Sequence, residues 1–453
     1  INNTAVGDDA LVANTTGDNN VAIGGSALDA NTTASNNTAV GHQSGTNNTT
    51  GALLTSLGRR ASFSNTTGDY NTSVGADALY SNTTGASNTA IGLDALFSNT
   101  TANNNTAVGW ESAKNNTSGT EVTALGRRAL LNNTTGSYNT AVGLNALVSN
   151  TTASYNTVMG VQVANNNTTG ARLTAIGFQA LYSNTSGNEN VAMGAYALDA
   201  NTTGVENTAL GDAAMSAVTT GNQNTAVGSQ AMKVGTGIQN TCIGGSSGKD
   251  LSTGSYNTFL GYRVGNYTVS ATTGSDNVII GAYSHGATQA TNRANALGYD
   301  LSAAEDYTTI GYAANDIRAA HGTATWATVS DERYKKDIAD STTGLSFINS
   351  LKPRTFNYKT LGELPENFRA YKKDSTEIYK SDKTQHGFIA QEVKTAIDAD
   401  SGIKDGFKFW DERPDGSQEV AEAALIPVLV KALQELSAKN DALEARITAL
   451  EAE

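Results

Sequence analysis

Asn3-Thr4-Ala5-Val6-Gly7 opens a phrase that returns as Asn20-Val21-Ala22-Ile23-Gly24 and then, little changed, along the first two thirds of the chain. Its closing glycine falls at Gly7, Gly24, Gly41, Gly58, Gly75, Gly92, Gly109, Gly126, Gly143, Gly160, Gly177, Gly194, Gly211 and Gly228, always 17 residues after the last (24 − 7 = 17). A unit this short cannot enclose a core by itself and must stack on its neighbour, so the fixed period predicts a solenoid.

The unit is read by counting from its glycine. The alternating run before it predicts a half-buried strand with the β-branched residues at positions −3 and −1 on one face. Three and four residues after it stands an Ala-Leu pair, as in Ala27-Leu28, Ala95-Leu96 and Ala146-Leu147, whose leucine fills the core. Seven residues after it comes an Asn-Thr-Thr-Gly turn, with the asparagine recurring from Asn14 and Asn31 through to Asn184 and Asn201. Asparagine and glycine suit a corner that needs the left-handed backbone conformation. The expected rung is strand, turn, short strand, turn, and rungs about 4.8 Å apart make a rod of roughly 60 Å over the regular stretch.

Such a core is thin. One Val or Ile and one Leu per rung contribute about 1.5 to 3 kcal/mol each, while ordering the rung costs about 1 to 2 kcal/mol per residue. Burial against identical chains is the natural remedy, and a fibre of three chains is expected, against the alternative of a capped monomeric solenoid.

Composition agrees with a structural role. Only 16% of the 453 residues are charged and 7% aromatic, with 46 Gly and 4 Pro, unlike an ordinary enzyme or a disordered tail. The net charge is −13 and there is no basic stripe, so neither nucleic acid nor an anionic membrane surface is an expected partner. No run of eighteen apolar residues offers a membrane-spanning helix. The single cysteine, Cys242, takes a slot filled elsewhere by alanine or valine and reads as a packing residue. The many Asn-x-Thr triplets follow from the repeat rather than from glycosylation. No cofactor and no metal is called for. Because the chain opens at Ile1 in mid-unit, a preceding portion carrying an anchor is expected.

After Gly228 the step becomes 16, 17, 20, 17 and 13, to Gly244, Gly261, Gly281, Gly298 and Gly311. This stretch gains Tyr256, Tyr262, Tyr267, Tyr283, Tyr299, Tyr307, Tyr312 and Trp326, with His285, Arg293 and Arg318. Exposed rings on a rigid tip suit contact with a host-surface glycan or protein receptor; the other reading is that they fill a wider core. Two arginine pairs, Arg59-Arg60 and Arg127-Arg128, stand 68 residues apart (127 − 59 = 68), four units, and so on one side of the rod, as a solvated face or a ligand site.

Near residue 322 the repeats stop, and charge, proline and helical periodicity appear. The expected organisation is a regular shaft over 1–244, an irregular transition over 245–321, and a compact domain over 322–453 with a coiled coil from about 425. Four segments stand out in the last: Ser330-Asp331-Glu332-Arg333-Tyr334-Lys335-Lys336-Asp337-Ile338, Leu351-Lys352-Pro353-Arg354-Thr355-Phe356-Asn357-Tyr358, His386-Gly387-Phe388-Ile389-Ala390-Gln391-Glu392-Val393, and Leu425-Ile426-Pro427-Val428-Leu429-Val430-Lys431-Ala432-Leu433-Gln434-Glu435-Leu436. In that order they resemble the self-cleaving intramolecular chaperone domain of phage tailspikes and tail fibres, endosialidases included.

The resemblance implies a trimeric domain that nucleates folding of the β-fibre before it and then cuts itself free between Val329 and Ser330. It also implies Ser330 as nucleophile and Lys335 as general base. That chemistry is sound, since a serine hydroxyl needs a base to take its proton and a partly buried lysine can supply one without a histidine. At most this is a single-turnover Ser-Lys peptidase, and an ordinary charged turn is the other reading of the two residues.

Leu429, Leu433, Leu436, Asn440, Leu443, Ile447 and Leu450 alternate steps of four and three, the seam of a coiled coil, with Asn440 setting register. An amphipathic helix folded back on its own domain shows the same pattern. Trimerising here first would align three rods that otherwise match after any slip of 17 residues.

The repeat itself, in Asn20-Val21-Ala22-Ile23-Gly24, Asn190-Val191-Ala192-Met193-Gly194 and Asn277-Val278-Ile279-Ile280-Gly281, resembles the heads of trimeric autotransporter adhesins, of the YadA-like kind. That likeness implies a trimeric left-handed parallel β-roll, over a unit longer than is usual there. The expected fold class is therefore mainly β, a trimeric parallel β-solenoid followed by a small α+β chaperone domain ending in a coiled-coil helix. The expected function is a phage tail fibre or tailspike in the virion, used for host attachment. A bacterial surface adhesin is the first alternative. A polysaccharide-degrading tailspike is the second, weakened because acidic residues such as Asp29, Asp69, Asp94, Glu111 and Glu189 are scattered singly rather than paired.

Overall fold

A computed structural model describes residues 2–323, 327–328, 330–403, 407–413 and 416–452. The chain divides into two compact units, Ile1–Val329 and Ser330–Glu453.

The first unit is a parallel β-solenoid. Each regular rung contributes one strand of three residues, from Thr4–Val6 and Val21–Ile23 onward, and each strand pairs in parallel with the next at an offset of one repeat, as Ala22 with Ala39 and Ala39 with Ser56. The register follows the altered period too, with Val227 opposite Ile243, Leu260 opposite Ile280 and Leu297 opposite Ile310. Parallel stacking then ends in an antiparallel hairpin of Tyr307–Tyr312 with Asn315–Ala320.

The expected short second strand forms late in the shaft, where Ala217–Val218 pairs in parallel with Val234–Gly235; the described rungs before it have none. The segment after the glycine does bond rung to rung through its backbone, as Leu28 N to Ser44 O at 3.0 Å and Ala30 N to Thr46 O at 2.9 Å. It is kept from being a strand by two left-handed residues per rung, such as Ser26 at φ 56° and Leu28 at φ 51°. A left-handed leucine costs about 1 to 2 kcal/mol. Complete burial of its side chain, as at Leu28, Leu96 and Leu147, offsets that with about 1.5 to 3 kcal/mol.

The strand faces the other way from the sequence expectation. Position −2, the alanine of Ala22, Ala39, Ala90 and Ala107, is fully buried, while the neighbours at −3 and −1 point outward. Val6 is 58% exposed and Met159 50%. The two walls of the rung lie too close for a large residue on both sides, so leucine fills the core from one wall and alanine from the other. Volume is conserved where this changes: Phe259 takes the alanine position and glycine replaces leucine at Gly248 and Gly265, where an added Cβ would lie 3.2 and 2.8 Å from the Phe259 ring. Cys242 occupies the same alanine position, fully buried, as a packing residue.

The asparagines also do something other than turn the chain. Positive φ falls on other residues such as Asn19 and Asn36, and the turn asparagines that recur every 17 residues from Asn14 to Asn201 all lack it. They form a buried ladder in which each side-chain amide donates to the asparagine oxygen of the rung before and to a carbonyl three residues on, as Asn82 Nδ2 to Asn65 Oδ1 at 2.7 Å and to Gly85 O at 2.8 Å. A second ladder at position −4 caps backbone amides of the next rung, as Asn37 N to Asn20 Oδ1 at 2.9 Å. These bonds satisfy the polar groups of a corner that leucine could not serve.

The second unit is a small α+β domain. Its helices are α1 (Leu345–Ser350), α2 (Ala390–Ala399) and α3 (Ile426–Glu451), with antiparallel hairpins of Arg354–Phe356 with Gln385–Gly387 and Trp410–Glu412 with Gln418–Val420. Phe347, Val393, Ile397, Phe409, Leu425 and Val428 form its core. Among the described residues no helix is long and apolar enough to cross a membrane.

Candidate functional site

The second unit opens on a short bracket. Asp331 caps the 3-10 turn Glu332–Tyr334 by accepting from Arg333 N at 2.8 Å, and Lys335 N closes the turn on Glu332 O at 2.9 Å. That turn folds Lys335 back over the start of the unit. Its Nζ donates to Ser330 Oγ at 2.7 Å and to Ser330 O at 3.2 Å, so the expected nucleophile and base are within hydrogen-bond reach. Arg333 also grips the Asp331 carboxylate, Nε to Oδ1 at 3.0 Å and Nη2 to Oδ2 at 2.6 Å. These bonds hold the Asp331 carboxyl below its ordinary range. Val329, the acyl side of the expected cut, lies outside the described residues.

The second and third sequence segments meet. Thr355 pairs with His386 across the first hairpin, and Arg354 clamps Glu392 with bonds of 2.6 and 3.0 Å, which holds that carboxyl below its usual range. The fourth supplies Leu425 and Val428 to the core. Glu435 on α3 accepts from Leu345 N at 2.8 Å, tying α3 to the first turn of α1.

The coiled-coil seam does not fold back on this domain. Val428 and Ala432 are the α3 side chains buried in it, beside Leu425 just before the helix, whereas Leu429, Leu433, Leu436, Asn440, Leu443, Ile447 and Leu450 are exposed, Leu433 at 67%. Asn440 spends its amide on Glu444 Oε1 within the same helix, at 2.9 Å.

In the first unit the outward position −1 makes a continuous apolar ladder that sequence reasoning missed: Val108, Leu125, Val142, Met159, Ile176 and Met193 follow one another in register. The tyrosines of the irregular rungs lie outside as well. Tyr283 touches Tyr262, Tyr267 and Tyr299 at centroid distances of 5.6, 4.7 and 5.5 Å, and Tyr299 stacks on Tyr312 at 5.1 Å. The core beside them is filled by Phe259, Val264, Ile279 and Leu301, so the rings are not core filling. Trp326 lies outside the described residues. His285 is buried and bonded to Thr268 and to Gly286 O, and Arg293 pairs with Asp306 at 2.7 Å. The arginine pairs serve neighbouring rungs: Arg59 and Arg60 both reach Asp77, Arg128 faces Glu111 at 3.4 Å, and Arg127 lies over the Trp110 ring. Among the described residues no cluster of His, Cys, Asp and Glu could hold a metal ion.

The fold is thus a parallel β-solenoid of 17-residue repeats followed by a small α+β domain. Residues 330–401 match the model of the Peptidase_S74 family, the chaperone of endosialidase, over a stretch that begins at Ser330. That match holds three of the four segments, and the fourth lies beyond it. No curated protein and no solved structure matches the chain.

Proposed function

We propose that this chain is a trimeric fibre protein of the phage tail fibre or tailspike kind, assembled by its C-terminal domain and released from that domain by self-cleavage before Ser330. The observation that carries the reading is the Lys335 Nζ to Ser330 Oγ bond at 2.7 Å, at the first residue of both the second compact unit and the chaperone match. Trimer formation is supported by two unpartnered apolar stripes, the outward ladder of the solenoid and the α3 seam. Burying the first would supply the area the thin core lacks, and joining the second first would set the register of three repetitive rods.

In the cleavage step Ser330 Oγ attacks the carbonyl carbon of Val329 while Lys335 Nζ, as neutral amine, takes the hydroxyl proton. The proton passes to the departing Ser330 nitrogen as the C–N bond breaks, leaving an ester. Water then hydrolyses the ester, giving a carboxylate at Val329 and a free amine at Ser330. Mass spectrometry of the expressed protein tests this: a fragment of residues 330–453 is expected from the wild type and from neither Ser330→Ala nor Lys335→Ala. Its appearance from either variant would overturn the assignment.

The exposed tyrosines Tyr262, Tyr267, Tyr299 and Tyr312 are proposed as the receptor-contacting face, since rings offer large contact area at small entropic cost. The partner is a host-surface glycan or protein. Loss of particle adsorption in Tyr262→Ala with Tyr299→Ala, with trimer mass retained, is the expected result, and unchanged adsorption would sink this part.

A further inference from the structure

The bracket that joins Ser330 to Lys335 depends on a carboxylate that takes no part in the proposed bond chemistry. Asp331 stands next to the serine, and one of its oxygens receives both Arg333 N and Arg333 Nε while the other receives Arg333 Nη2. The first contact caps the 3-10 turn that carries Lys335 back to Ser330. The other two set a guanidinium against a negative charge close to the lysine. Resting on the self-cleavage reading above, we propose that Asp331 and Arg333 are a positioning pair: Asp331 shapes the turn that brings Lys335 onto Ser330, and Arg333 neutralises the Asp331 charge so that it does not hold Lys335 as an ammonium.

The argument is geometric and electrostatic. Lys335 stands five positions after Ser330, and an extended chain would carry it far beyond hydrogen-bond reach of the serine. Only a tight turn closes the gap, and the Asp331 cap is the side-chain bond that holds this one. A bare carboxylate there would favour the protonated lysine, which is useless as a base. Paired with Arg333, Asp331 keeps the cap without that penalty. The charged groups around Lys335 are Asp331, Glu332, Arg333, Lys336 and Asp337 of its own segment; among the described residues no hydrogen bond or ion pair reaches its Nζ from another element.

Two substitutions separate the roles, read as the rate of appearance of the 330–453 fragment from full-length chain across pH. Asp331→Asn keeps a good cap and removes the charge, and is expected to cleave within about threefold of wild type. Asp331→Ala removes both and is expected to slow cleavage about tenfold. Arg333→Ala leaves an unneutralised carboxylate and is expected to move the midpoint of the rate profile to higher pH, a change that mere loosening of a surface turn does not produce. Asp331→Ala cleaving at the wild-type rate, or Arg333→Ala keeping the wild-type pH profile, would overturn the pair's role while leaving the Ser-Lys reading intact. A wild-type chain that never cleaves, in the same assay, overturns the reading itself and the inference with it.

Discussion

Asn201 donates its side-chain amide to Asn184 Oδ1 at 2.8 Å, yet its own buried Oδ1 receives no hydrogen bond, because the next rung carries Val218 where the earlier rungs carry asparagine. The ladder that begins at Asn14 ends there with an orphan acceptor, just ahead of the point where the period falters. The backbone at Val218 matches the regular rungs, its N bonding Met215 O at 3.0 Å as Asn31 N bonds Leu28 O at 3.1 Å. Val218→Asn should therefore extend the ladder and be about 1 kcal/mol more stable than Val218→Ala. Val218→Ala should cost about 2 kcal/mol. Denaturant midpoints of the two variants check this, and an asparagine variant as weak as the alanine one would contradict it.

The repeat glycine is required twice over. At Gly92, φ is +133°, and an added Cβ would lie 2.4 Å from the carbonyl oxygen of Gly109 in the next rung. Gly92→Ala should destabilise by at least about 3 kcal/mol. Gly25→Ala, one residue past a repeat glycine, would meet nothing nearer than 3.5 Å and should stay within about 0.5 kcal/mol of wild type. Soluble yield and thermal melting of the pair give the comparison.

The outward ladder is predicted to act between chains rather than within one. Leu125→Lys with Val142→Lys places charge on a face that is already wet in a single chain, so circular dichroism of the strands should survive while the sedimenting mass falls from three chains to one. Loss of the β signal at unchanged mass would argue that these side chains hold the rung together.

Burial pushes the Cys242 thiol up to about 12, from an ordinary value of 9.0. The folded state therefore favours the neutral thiol, a contribution that is complete below about pH 9 and lost as pH rises toward 12. Thiol reagents at pH 8 should leave the native fibre unlabelled and react at once in denaturant. Rapid labelling of native protein would show that this rung opens locally.

The period was legible in sequence because every rung must meet the next one in register, so its glycine recurs and even its later steps of 16, 20 and 13 reappear as strand offsets. Which side of the strand faces in was not legible. Alternation has two faces and no sign, and the larger residue at −1 is the natural choice for a core until a leucine on the facing wall leaves room at −2 for a small residue. The asparagine was likewise visible as a repeat, but its role is set by a side-chain bond to a residue one repeat away, which turn propensity does not reveal. Ser330 and Lys335 were legible through the four ordered segments, whereas the Asp331 bridge that folds one onto the other shows only in three dimensions.

Native mass spectrometry of the full-length chain after expression tests the central claim most directly, since one spectrum reports both assembly and cleavage. The account predicts a complex of three chains that each end at Val329, with the 330–453 fragment free or still bound. A single uncut chain of 453 residues would contradict it.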